Sequence, residues 1–178
     1  MGDTSSNGKR LGGGKVDVGN GLTAPALSKS LINRANAAGT VVDFGDSTAR
    51  EYAKNAKEIG SFDLSKEEKQ NALKELHSLT ENQLRAESKA VNPYTSGVAR
   101  FNKTQVDKNS ASASNARQKT KNYMDGLRKQ NATKKKETAN KRIFNAANAA
   151  IKSGALSFTV DGETYTRKTR RAKSFTKQ

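Results

Sequence analysis

Glu163, Tyr165 and Arg167 alternate along "ETYTR", so in an extended strand an acid, a phenol and a guanidinium share one face. Those groups could serve phosphodiester cleavage, with the carboxylate moving a proton and the donors stabilising charge on the phosphate. Cross-strand pairing on a hairpin explains the same three residues without chemistry, and it is the reading adopted here. His77 is the only histidine, and the chain has no cysteine. It lies beside Leu73 and Leu76 at the edge of a leucine stripe, the usual place of a packed, hydrogen-bonded imidazole. With no second His or Cys, the common metal sites and His-dependent hydrolase sites lack their parts. "GKRLGGGK" near the N-terminus has the glycines of a phosphate loop without its G-x-x-x-x-G-K-[ST] spacing or a preceding strand. The expectation is no catalytic residue, no metal and no cofactor: not an enzyme.

The charge points elsewhere. Residues 1–90 carry 13 Lys/Arg and 12 Asp/Glu, whereas residues 91–178 carry 20 Lys/Arg and 5 Asp/Glu. A half-chain of that sign calls for a polyanionic partner, with DNA or RNA ahead of an anionic membrane surface. The phosphate-binding set is Arg117, Lys119, Lys121, Arg128, Lys129, Lys134, Lys135, Lys136, Lys141 and Arg142, followed by Arg167, Lys168, Arg170, Arg171 and Lys173. Asn and Gln are interleaved among them. No aromatic platform for stacking single-stranded bases is evident, so backbone contacts with little sequence preference are expected.

The elements that must position this set are mostly helical. Only 33% of residues are hydrophobic and 6% aromatic, too few for a core of ordinary size along the whole chain. The Gly-rich residues 1–22 read as a flexible arm. A first helix is expected over 24–38, capped by Thr23, with a short extended piece at 40–47. A second helix follows over 48–59, with Tyr52, Ala56 and Ile59 on one face and Gly60 as its stop. Ser65-x-x-Glu68 is a capping box opening a helix that carries Leu73, Leu76 and Leu84, and Thr80 offers a possible restart. Residues 98–152 are rich in helix formers but poor in large apolar side chains, which predicts either a long, exposed helix stabilised by partners or partial disorder, with a candidate hinge at "NSASASNA" (109–116).

At the C-terminal end, "IFNAANAAIKSG" (143–154) reads as a helix stopped by Gly154. Leu156, Phe158 and Val160 then alternate with Ser157 and Thr159, and Asp161-Gly162 is a type I′ turn signal. A lone hairpin is marginal, so Leu156, Phe158, Val160 and Tyr165 are read as docking residues. Their cover is expected from Ile143, Phe144 and Ile151 or from a neighbouring subunit. Residues after Arg167 read as a basic tail too polar to supply it.

"AAIKSGALSFTVDGETYTR" (149–167) resembles the helix–hairpin part of the small W-type head–tail joining proteins of tailed phages. In that family a helix ends at Gly, and a strand, a D-G turn and an aromatic-bearing return strand follow. The resemblance implies a virion component at the vertex where packaged DNA leaves the capsid. The helix expected after the hairpin is replaced here by "RKTRRAKSFTKQ".

The fold class expected is therefore mainly α: several helices in an extended, weakly packed arrangement, with one C-terminal β-hairpin and a disordered Gly-rich N-terminal arm. The regions are 1–22 (arm), 23–93 (small helical region), 94–153 (long polar basic helix or helices), 154–167 (hairpin) and 168–178 (basic tail). The function expected is a non-catalytic nucleic-acid-associated structural or assembly protein with other protein subunits or its own copies as partners. The alternatives are a protein–protein interaction module of a ring or filament and a small basic nuclease or toxin domain. No stretch approaches a membrane span and no secretory signal is evident, which predicts a cytoplasmic or virion-associated protein.

Overall fold

The computed structural model describes residues 10–11, 15–38, 44–90 and 103–178. The protein is mainly α-helical with a β-hairpin sheet at its C-terminal end. It divides into two units after Lys129.

The first unit opens with strands where an arm was expected. Strands β1 (Arg10–Leu11), β2 (Lys15–Gly19) and β3 (Leu22–Pro25) form an antiparallel sheet in that order. The β2–β3 turn is Asn20-Gly21, and both residues have positive φ, at 55° and 68°. Asn-Gly is the pair that a two-residue turn matching strand twist selects. Val18, Leu22 and Ala24 point into the core, so residues 15–22 are an ordered part of the unit. Residues 10–11 of the expected arm form β1, and residues 1–9 and 12–14 lie outside the described residues.

Helix α1 (Lys29–Ala38) starts later than the sequence suggested, because residues 22–25 are committed to the sheet. Its first turn is tied by the Ser28 carbonyl, which accepts from the Leu31 and Ile32 N–H groups, so Ser28 rather than Thr23 begins the helix. Helix α2 (Phe44–Ser61) in turn starts earlier than expected. Asn36 of α1 supplies the reason: its Oδ1 accepts from the Asp46 N–H at 3.0 Å, satisfying a first-turn donor. Of the stretch expected to be extended, residues 40–43 lie outside the described residues and 44–47 are helical.

Two glycines let the pieces approach. A Cβ on Gly45 would lie 2.1 Å from the Ile32 carbonyl oxygen, and one on Gly60 would lie 2.9 Å from that of Val18. Gly60 is thus no helix stop, since α2 continues to Ser61 and the glycine admits β2 against the helix. Its carbonyl accepts from Asn20 Nδ2 and Lys69 Nζ, both at 3.1 Å.

Helix α3 (Lys66–Glu87) has the reciprocal capping box of Ser65 and Glu68. It runs without a break at Thr80, whose hydroxyl donates to the Leu76 carbonyl of the preceding turn. Leu73, Leu76 and Leu84 are fully buried. With Tyr52, Ala56, Ile59, Phe62 and Leu64, the first two build the main core, which Met124 joins from helix α4 (Lys103–Ser153), while Leu84 packs with Leu31 and Ala35 of α1.

That last helix is a single element through 109–116, so the expected hinge is absent. Its stretch 113–127 is also better partnered than its polarity suggested. Ala113, Thr120 and Met124 are buried, and Tyr123 and Leu127 pack on the core. The Tyr123 hydroxyl donates to the Ala72 carbonyl at 3.3 Å.

The second unit holds residues 130–153 of α4 and the strands β4 (Ser157–Val160), β5 (Glu163–Thr166) and β6 (Thr176–Lys177). The helix ends as its sequence predicts. Gly154 takes φ 72°, its N–H donates to the Ile151 carbonyl and the Ala155 N–H donates to that of Ala150. This is the paired 6→1 and 5→2 closure that glycine permits. Asp161 and Gly162, at φ 51° and 81°, turn the β4–β5 hairpin, with Phe158 opposite Tyr165 and Val160 opposite Glu163. The chain after Arg167 is more than a tail: β6 pairs with β5 and makes the sheet three-stranded.

Candidate nucleic-acid interface

Arg167 organises the C-terminal unit and is not available to a phosphate. It is 5% exposed, and its guanidinium donates to the carbonyls of Ala155 at 2.7 Å, Ala172 at 3.2 Å and Ala150 at 3.4 Å. Ala150 belongs to the last turn of α4, so one cation satisfies the helix end and both flanks of the sheet, where helix carbonyls favour positive charge. The same guanidinium lies 5.3 Å from the centre of the Phe175 ring.

Phe175 corrects the expectation that the tail is too polar to cover the hairpin. Phe158 stacks on Tyr165 with centroids 5.0 Å apart and meets Phe175 edge-on at 4.8 Å. The tail therefore brings its own aromatic cover for the middle of the hairpin. Phe144, expected beneath the sheet, is instead 65% exposed, and Leu156 is 48% exposed.

Between Arg167 and Phe175 the β5–β6 connection presents Lys168, Arg170, Arg171 and Lys173, all exposed. The loop is closed at its base by Arg167 and by the β5–β6 pairing. On α4, Lys135, Lys136 and Lys141 are exposed and Lys134 is half-buried. Lys134 and Lys141 are seven residues apart and share one column of the helix, and Lys135 and Arg142 share the next. Arg142 also donates to Asp161 Oδ1 at the hairpin turn, at 3.1 Å. The second unit holds twelve Lys/Arg against three Asp/Glu. Of those acids, Asp161 is held by Arg142 and Glu163 by Lys177 Nζ at 2.8 Å, which raises the lysine pKa.

The basic residues of the first unit are used differently. Arg117 donates to Glu87 Oε1 at 2.8 Å, and Arg128 grips both oxygens of Glu58 at 2.7 and 2.8 Å with Asp125 at 2.9 Å. The carboxylate bonds raise the Arg128 pKa further above its already high value. These two arginines fasten the helix that carries them. Lys119, Lys121 and Lys129 are exposed on the same helix. The fifteen basic residues predicted as one set thus divide, with Arg117, Arg128 and Arg167 bound up internally and Arg142 shared with the hairpin.

The candidate acid–phenol–guanidinium set divides likewise. Glu163 pairs with Lys177, Tyr165 stacks on Phe158 and Arg167 faces backbone carbonyls. His77 places its Nε2 at 3.2 Å from the Ala26 carbonyl and its ring edge-on to Tyr52. The Tyr52 hydroxyl donates to the Pro25 carbonyl at 2.6 Å, and burial pushes its pKa well above the usual phenol range. His77 thus joins α3 to the segment that follows β3 and to α2. Among the described residues no cluster of three or more His, Cys, Asp or Glu could hold a metal ion. Among them, too, no helix is long and apolar enough to cross a membrane. No family model, curated protein or solved structure matches the chain.

Proposed function

We propose that this protein is a non-catalytic nucleic-acid-associated assembly component that grips the phosphate backbone through its C-terminal unit. The observation that carries the reading is the exposed cation array of that unit. Lys135, Lys136 and Lys141 on the helix, and Lys168, Arg170, Arg171 and Lys173 on the clamped loop, are exposed and form no ion pair among the described residues. A backbone grip needs repeated cations on ordered supports and no particular order of side chains, because phosphates carry charge without sequence. The resemblance of residues 149–167 to the W-type joining proteins adds a virion setting to the proposal.

A salt titration of binding to mixed-sequence DNA tests it. Each phosphate contact adds close to one unit to the slope of log affinity against log salt on duplex, and about 0.7 on single strands. A slope of several units, reduced by about two when Arg170 and Arg171 are both replaced by Gln, is the expected result. A flat slope, or no binding at low salt, overturns the proposal.

A further inference from the structure

We infer that Phe144 is a base-stacking platform and that the nucleic acid taken by this unit is single-stranded. The inference rests on the proposed phosphate grip and deepens it.

Phe144 is 65% exposed, one of two large apolar side chains in that condition among the described residues. It sits on a helical turn whose neighbours at three and four residues are Asn140, Lys141, Ala147 and Asn148. Asn140 and Lys141 are exposed, and Asn148 and Ala147 are half-buried. The nearest acid on that face is Glu137, two turns away. A phenyl ring, one cation and two amides on one face match the parts of a single nucleotide. The ring covers the base, the lysine meets the phosphate and the amides reach the base edge.

Duplex does not offer the same fit. Its base faces are already covered by their neighbours, so an exposed ring at its surface would gain no stacking without prising a step apart. A single strand presents those faces to solvent, and every base has one, so the contact requires no sequence preference. Lys141, one turn back on the same helix, then holds the adjoining phosphate. A second copy of the chain is the competing occupant, but a surface so rich in one sign of charge opposes self-association.

The test is fluorescence anisotropy with labelled oligothymidine, oligouridine, an abasic strand and a duplex of equal length, at several salt concentrations. Phe144→Ala should weaken oligothymidine or oligouridine binding roughly tenfold and leave the duplex affinity and the salt slope unchanged. Either strand showing this supports the inference, and the tighter one names the ligand. Phe144→Trp should retain binding, with the indole emission quenched by the strand, and the abasic strand should be indifferent to both substitutions. Helicity and urea midpoint, which should not move at so exposed a position, separate this from misfolding. If Phe144→Ala leaves single-strand affinity unchanged while a steep salt slope persists, stacking is overturned and the phosphate grip stands. If neither single strand nor duplex binds at low salt, both readings fall. Light scattering that shows a nucleic-acid-free oligomer dispersed by Phe144→Ala would also overturn the inference and assign the residue to self-association.

Discussion

Glu87, 3% exposed at the end of α3, receives the Arg117 Nε of α4 at 2.8 Å. The same carboxylate accepts from the Thr48 hydroxyl at 2.9 Å and from Gln83 Nε2 at 3.0 Å. A buried acid with donors from three helices is a register device: only one rotation of α4 brings Arg117 to it. Arg117→Met strips the counter-charge from an acid that cannot reach water. We expect it to cost about 3 kcal/mol, read as a lowered urea midpoint followed by circular dichroism. Glu87→Leu added to Arg117→Met should restore part of the loss, because the desolvated charge itself is then gone. A cycle in which the two losses simply add would show that the pair is not coupled.

Glycine substitution separates close approach from helix propensity. Gly45→Ala drives a methyl into the Ile32 carbonyl, a backbone atom that only a shift of α1 against α2 can relieve, and should cost about 1–3 kcal/mol. Gly126 lies inside α4 with nothing within 4 Å of an added Cβ. Gly126→Ala should therefore stabilise the protein by about 0.5–1 kcal/mol, the ordinary helix-interior gain. Thermal or urea unfolding of both variants checks the opposite signs.

What could be read from the sequence was what local chemistry decides. Ser65-x-x-Glu68, Gly154 and Asp161-Gly162 each act within a few residues, and each does in the structure what its type implies. Asn20-Gly21 belongs with them, flanked by Val16, Val18, Leu22 and Ala24, but the surrounding glycines make the stretch look uniformly flexible. The features that were not legible depend on distant partners. Gly60 looks like a helix stop until β2 is laid against it, and α2 starts early because Asn36 reaches it from another helix. Charge misled most at Arg117, Arg128 and Arg167. A basic residue in a basic stretch reads as solvent-facing, whereas these three meet carboxylates or carbonyls that the fold supplies. Phe144 is the converse: an aromatic beside alanines reads as core, and here it is exposed.

Arg167→Ala removes three donors from carbonyls at the end of α4 and around the sheet. Amide exchange should accelerate across residues 154–178 and remain slow in α3, because the two belong to different units. Arg167→Lys should rescue little, since one ammonium cannot reproduce a planar fork that faces three acceptors. Nucleic-acid affinity should then fall without the neat one-unit loss of slope expected for a phosphate contact, as the loop carrying Lys168, Arg170, Arg171 and Lys173 loosens as a whole. A clean loss of one slope unit with exchange unchanged would instead make Arg167 a direct contact.

The Glu58–Arg128 pair gives the protein a defined acid sensitivity. Both guanidinium bonds to Glu58 form only with the carboxylate, and they hold its pKa below the ordinary glutamate value, chiefly through the hydrogen bonds from Arg128. A carboxyl group whose folded pKa is depressed adds stability at pH above its unfolded value, about 4.3. That contribution fades as pH falls through the lower folded value. Because Glu58 is partly exposed, the gain is small, about 0.5–1 kcal/mol at neutral pH and less in high salt. Carboxyl-carbon NMR should place the Glu58 midpoint below the ordinary glutamate value, about 4.3. Arg128→Leu should return that midpoint toward the ordinary range and flatten the loss of stability between neutral and acid pH. Arg128→Lys should give only part of the original depression, since a single ammonium does not engage both oxygens. An unshifted Glu58 midpoint in the native protein would remove the pair from any account of its pH dependence.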